Sequence, residues 1–103
     1  MSDWHLYILK TRIDTLYTGI ATDVMRRLQE HESGKVGAKY LRAKAPLELV
    51  YQVSLGSREL ASRAEYRVKQ LSRSAKQALI ERQPDCRDFL LSIELSSEVE
   101  ETG

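Results

Sequence analysis

The stretch Leu16–His31, LYTGIATDVMRRLQEH, constrains the fold most, because its apolar period changes partway along. From Leu16 to Ala21 the residues alternate: Leu16, Thr18 and Ile20 fall on one side of a strand, Tyr17 and Gly19 on the other. Thr22 or Asp23 can then cap a helix running to about Glu32, with Val24, Met25 and Leu28 as its apolar stripe and Gly34 beyond its end. Arg27 and His31 are one helical turn apart and share a face. A strand leading directly into a helix needs a sheet partner, and Trp4–Lys10 (WHLYILK) supplies one. In that segment Leu6 and Ile8 are expected to face the core, and His5, Tyr7 and Leu9 the other side. Thr11–Thr15, with Asp14, makes the hairpin turn. Tyr7 and Tyr17 then share a sheet face, close to Arg27 and His31. Gly19, with no side chain, either admits a backbone or a substrate phosphate or relieves packing at a strand end.

Further along, Gly34–Lys44 (GKVGAKYLRAK) interleaves Lys35, Lys39, Arg42 and Lys44 with Tyr40. It suits contact with a nucleic-acid backbone, or forms a solvated loop anchored by Tyr40 and Leu41. Pro46 introduces a third strand, Leu47–Val53, in which Leu47, Leu49, Tyr51 and Val53 alternate with polar or smaller positions. Gly56 ends it and Ser57 caps a helix to about Leu71, striped by Leu60, Ala61, Ala64, Val68 and Leu71, with Arg58, Arg63, Arg67 and Lys69 pointing elsewhere. Ser72 or Ser74 restarts a helix to about Arg82, and Pro84 stops it. Asp85–Ile93 reads as a last amphipathic helix carrying Phe89, Leu90 and Ile93, followed by an acidic, flexible tail. Strand, strand, helix, strand, helix, helix makes a small α/β (α+β) layer fold. The domain division read from this pattern is 1–83 for the body and 84–103 for a short helix and tail.

With 103 residues there is room for one domain. The net charge of +1 hides an asymmetry: residues 1–80 hold 14 basic and 8 acidic side chains, residues 81–103 hold 2 and 7. A basic body suits a phosphate-rich partner, or is simply a soluble surface. The single cysteine, Cys86, excludes an internal disulfide and, with no paired His/Cys spacing, argues against zinc. The lone cysteine and the lack of a signal sequence point to the cytoplasm. No apolar run is long enough for a membrane span.

By chemistry alone, Arg27 is a bidentate phosphate binder or an exposed helix arginine. Glu65, set among Arg63, Arg67 and Lys69, is either a hard oxygen ligand for Mg²⁺ or Mn²⁺ or the partner of Lys69 in an i,i+4 salt bridge. The tyrosines and His31 are either proton-handling groups or ordinary packed and surface residues.

The motifs together resemble the GIY-YIG nuclease family, and their wording is similar to its small single-domain bacterial YhbQ-like members. His5-Leu6-Tyr7 stands where the family has GIY, so only the tyrosine matches, and Tyr17-Thr18-Gly19 stands for YIG. Arg27 falls at the family arginine, His31 follows at a spacing some members use, and Glu65, in AEYRVKQL, falls at the metal-binding glutamate. The resemblance covers roughly residues 3–82. Ile20 stands where members often carry lysine, and Gln77 where many carry asparagine; the assisting role of that lysine then passes to His31.

The resemblance implies a three-stranded antiparallel sheet flanked by helices. It also implies a DNA endonuclease dependent on Mg²⁺ or Mn²⁺, in which water attacks the phosphodiester directly. Tyr7 is the favoured general base and Tyr17 orients water or phosphate, roles the two could exchange. Arg27 holds the scissile phosphate, His31 relays a proton, and Glu65 holds the metal. Gly19, Lys35, Lys39, Arg42, Lys44, Arg63, Arg67 and Lys69 are the expected nucleic-acid contacts. The expected partner is DNA, or RNA, bound by a monomer or weak dimer with low sequence specificity or structure-directed choice, in a setting such as DNA repair. The alternative is a nucleic-acid-binding module with weak or no catalysis.

Overall fold

The computed structural model describes residues 3–33 and 46–93. In chain order these form β1 (Trp4–Lys10), β2 (Leu16–Ala21), α1 (Val24–Ser33), β3 (Glu48–Gly56), α2 (Arg58–Lys69), α3 (Arg73–Arg82) and α4 (Cys86–Ser92). The strands make an antiparallel sheet in the order β2-β1-β3. This is the expected α+β arrangement of a three-stranded antiparallel sheet flanked by helices. Gly34 and the basic segment that follows it lie outside the described residues, as does the tail beyond Ile93.

The β1–β2 hairpin closes through Thr11. Its N–H donates to the Thr15 carbonyl at 2.9 Å, its carbonyl accepts from Asp14 N–H at 2.9 Å, and its hydroxyl meets that of Thr15 at 2.6 Å. Asp14 takes φ 66°, a left-handed conformation that aspartate tolerates better than most residues. Pairing with Lys10 and Arg73 holds its side chain.

As the central strand, β1 is buried on both faces. Leu6 and Ile8 join a large core with Tyr51, Val53, the inner face of α2 and Phe89 of α4. Tyr7 and Leu9, on the opposite face, join a smaller core with Ala21, Val24 of α1 and Leu47. The side expected to face away from the core is therefore a second core, because α1 covers it.

Two further expectations are corrected. Met25 is not in the stripe of α1, being 56% exposed. Val24 and Leu28 do pack inward, and the next inward position on that face belongs to His31, at 2% exposure. The third strand runs to Gly56 rather than Val53, and its alternation changes face midway. Ile8 pairs with Tyr51 but Leu9 pairs with Leu49, leaving Val50 as an extra, bulged residue. Leu47 and Leu49 thus serve the small core while Tyr51 and Val53 serve the large one.

The remaining helices are set by their caps. Ser57, Ser72 and Asp85 each accept from a backbone N–H three residues on, at 3.1, 3.1 and 2.9 Å. Helix α4 is held firmly. Phe89 is fully buried against the Tyr51 ring, Tyr51 Oη donates to the Pro84 carbonyl at 2.6 Å, and Arg67 Nη1 donates to the Ile93 carbonyl at 3.2 Å.

Candidate active site

A cleft of about 570 Å³ crosses the edge strand β2 and draws residues from both faces of the sheet. Tyr7, Tyr17, Gly19, Arg26, Arg27 and Glu30 line it on the α1 side, and Arg58, Ser62 and Glu65 come from α2. The spacing of these last three explains their place. Ala61, Ala64 and Val68 turn into the core, so positions 58, 62 and 65 fall together on the adjoining face of the helix.

Gly19 lets the central strand reach this edge cleft. It pairs directly with Tyr7, and the phenol ring lies across it. A Cβ at position 19 would stand 2.5 Å from Tyr7 Oη and 2.6 Å from Cζ. The close approach at this glycine is therefore made by the tyrosine ring. Behind the ring, Tyr7 Oη and His31 Nε2 share a buried hydrogen bond of 3.0 Å. Tyr17 stands edge-on to His31, with centroids 5.4 Å apart, and 6.5 Å from the Tyr7 ring. His31 supports the cleft from behind and does not line it.

Burial, and secondarily the neighbouring Tyr17, push the Tyr7 pKa up to about 12; the Arg27 guanidinium works against both, and Glu65 adds slightly to the rise. Burial also holds His31 below its ordinary value, helped by Arg27 and opposed by Glu30. Both groups are thus neutral near pH 7, a protonated phenol against an unprotonated imidazole. Arg27 is 38% exposed at the cleft and its Nη1 meets Glu30 Oε1 at 3.4 Å, while Arg26 Nε meets Glu30 Oε2 at 3.2 Å. Glu30 thereby braces both arginines. Arg27 Nε and His31 Nδ1 are buried without a hydrogen-bond partner among the described residues.

Glu65 is 25% exposed and meets Lys69 Nζ at 3.0 Å. The salt-bridge reading of this residue is realised, and the same carboxylate also lines the cleft. No group of three or more His, Cys, Asp or Glu gathers as a metal cage among the described residues. A single carboxylate in a cleft that also holds an arginine suits Mg²⁺ or Mn²⁺, which keep most of their waters, and does not suit zinc.

The other expected contacts disperse. Arg63 sits in a shallow depression with Arg58, Glu59 and Ser62, and Arg67 is engaged at the end of α4. Lys35, Lys39, Arg42 and Lys44 lie outside the described residues. Trp4, Arg58, Ser62, Asp23 and Glu30 line the cleft although sequence reasoning did not single them out for the site. The i, i+4, i+7 spacing of Arg58, Ser62 and Glu65 could have shown two of them. Trp4 carried no such signal, because it reaches the cleft only through the packing of α2.

Two tyrosines, an arginine and a glutamate around a side-chain-free strand position define the class. Residues 3–78 match the GIY-YIG catalytic domain, and the chain belongs to that family. Within it, the chain groups with the small single-domain YhbQ-like proteins. It is 52% identical over 95 residues to the UPF0213 protein YE0453 of Yersinia enterocolitica, covering 90% of this chain and 97% of that one. Identity to the UPF0213 protein YhbQ of Escherichia coli K12 is 49% over 94 residues, covering 91% and 93%. The solution NMR structure of the UPF0213 protein BH0048 from Bacillus halodurans superposes with a TM-score of 0.53 at 44% identity, covering 79% of this chain and 85% of that one.

Proposed function

We propose that this chain hydrolyses DNA phosphodiester bonds by direct attack of water, with Mg²⁺ or Mn²⁺ held at Glu65. The observation that carries the reading is that Tyr7, Tyr17 and Arg27 from one face of the sheet and Glu65 from the other line a single cleft over Gly19. Arg27 binds the scissile phosphate through its fork of N–H donors and offsets charge in the transition state. Glu30 positions it, and the arriving phosphate competes with that carboxylate. The ion, when bound, supplies Lewis-acid stabilisation of the phosphoryl oxygens.

A phenol with a pKa near 12 does not surrender its proton to solvent at neutral pH. It works as a base only by passing its own proton on as it takes one from water. His31 Nε2, 3.0 Å away and neutral, is placed to receive it. That direction requires the tautomer with the proton on Nδ1. Tyr17, edge-on to His31, orients the water or the phosphate.

The reading carries low sequence specificity or structure-directed choice, by a monomer or weak dimer, in a cytoplasmic role such as DNA repair. RNA offers the same phosphodiester. The Glu65–Lys69 pair favours a second reading, a nucleic-acid-binding module in which Glu65 is only a surface ion-pair partner.

Nicking of supercoiled plasmid separates the two. Wild type with Mg²⁺ or Mn²⁺ should nick, and EDTA should stop it. Glu65→Gln should lose about 10²-fold or more in rate, the scale on which a transition-state contact acts, while still binding DNA. Binding without cutting by the wild type, unchanged by Glu65→Gln, would support the second reading instead.

A further inference from the structure

The proposed chemistry leaves part of the cleft lining unused, and the residues there are of a different kind. Trp4 opens β1 opposite Gly56, where the sheet begins. The guanidinium of Arg58, the first residue of α2, lies over its indole with Cζ 5.3 Å from the ring centroid. Trp4 is half-buried against the large core, which fixes its ring, whereas Arg58 is exposed. Both line the same cleft as Tyr7, Arg27 and Glu65. Beside them Ser62 adds a hydroxyl on the same face of α2.

We propose that the Arg58–Trp4 stack is a nucleobase platform that selects substrates with an unpaired base next to the scissile phosphate. A fixed indole covered by a guanidinium offers a flat, polarizable surface, and the π-face of any base can stack on such a surface. A base paired inside a duplex has both faces occupied by its neighbours and cannot use it. The platform therefore favours single-stranded segments, frayed ends and gaps over intact duplex. It reads bases by their faces and so carries little sequence preference. The inference deepens the nuclease reading and rests on it for the identity of the polymer, but the stacking itself needs no catalysis.

Trp4 is the only tryptophan in the chain, so its fluorescence reports on the platform directly. Glu65→Gln, used to prevent cutting, is titrated with a single-stranded oligonucleotide of about ten nucleotides. It is titrated in parallel with a fully abasic oligonucleotide of the same length and charge, and with a blunt duplex. The single strand should change Trp4 emission and bind about tenfold more tightly than the abasic strand, the ratio one base-stacking contact supports. Trp4→Leu, followed by anisotropy of a labelled strand, should remove most of that preference, and Arg58→Lys should weaken it, because lysine keeps the charge but loses the plane.

Equal affinity and equal emission change with the abasic strand would overturn the platform, as would a duplex that binds as tightly as the single strand. The two readings fail separately. Plasmid nicking by the wild type with a silent Trp4 sinks the platform and leaves the nuclease. A base-dependent Trp4 response with no cutting by the wild type sinks the nuclease and keeps the platform. Failure of every polynucleotide to bind sinks both.

Discussion

Replacing Gly19 with alanine tests the construction of the cleft more sharply than any change to a polar residue. The position shows no left-handed φ, so alanine meets no backbone strain there, and in a strand it would ordinarily gain roughly 0.5–1 kcal/mol. The obstacle is the Tyr7 ring. A Cβ would stand 2.5 Å from Oη, 2.6 Å from Cζ and 3.2 Å from Cε1, and the first two distances cannot be tolerated without movement. Tyr7 has nowhere to go, since it is 2% exposed and hydrogen-bonded to His31. Overpacking of this kind costs about 1–3 kcal/mol, and losing the Tyr7–His31 hydrogen bond adds about 0.5–1.5 kcal/mol. After the backbone gain, a net loss of about 0.5–4 kcal/mol remains. Each kcal/mol lowers the melting temperature of a domain this size by about 4–8 °C. Thermal and urea unfolding measure it, and the control is a cycle with Tyr7→Leu. Without the ring, Gly19→Ala should be neutral or slightly stabilising. Gly56 provides a contrast: its φ is +86° with open space around it, so Gly56→Ala should be costly in both backgrounds alike. The reasoning is refuted if Gly19→Ala leaves wild-type stability unchanged, or costs the same with Tyr7→Leu as without it.

Other consequences follow from the same packing. Folding lowers the His31 pKa, so the unfolded chain takes up that proton more readily; the stability this contributes is complete above pH 6.5 and is lost as pH falls through the folded value. Melting temperature should decline on acidification below pH 6.5, and His31→Gln should flatten that decline; a slope that survives in the variant would assign it elsewhere. Tyr7 runs the other way: its pKa is raised, so its contribution is present below pH 10 and is lost as pH rises toward about 12. A tyrosinate absorbance titration should show two phenols, Tyr7 and Tyr51, ionising later than the rest, and Tyr7→Phe should remove one of them. Phe89→Ala should cost about 3–5 kcal/mol in urea unfolding, because the side chain is fully buried where α4 meets β3. A cost under about 1 kcal/mol would mean that α4 is dispensable to the core.

Local order was legible in the amino-acid sequence because its causes are local. Alternation defined β1 and β2, Ser57, Ser72 and Asp85 marked helix starts by accepting backbone N–H groups, and Gly56 marked a strand end by its left-handed φ. The motif residues Tyr7, Tyr17, Gly19, Arg27, His31 and Glu65 could be picked out by their resemblance to the family's motifs, since type and spacing alone left each of them an ordinary structural reading as well. What the sequence could not express is which surface covers which. The Val50 bulge sends Leu49 and Tyr51 to opposite faces, although they are two apart and look equivalent. His31 shares the inward face of α1 with Val24 and Leu28 and meets Tyr7 there, while Met25, off that face, is turned out. Above all, Glu65 and Trp4 reach the same cleft as Tyr7 from the opposite face of the sheet, around an edge strand with no side chain at Gly19. Periodicity specifies the face of each element, but a site that wraps around a sheet edge depends on how helices dock on both faces, and only the tertiary structure decides that.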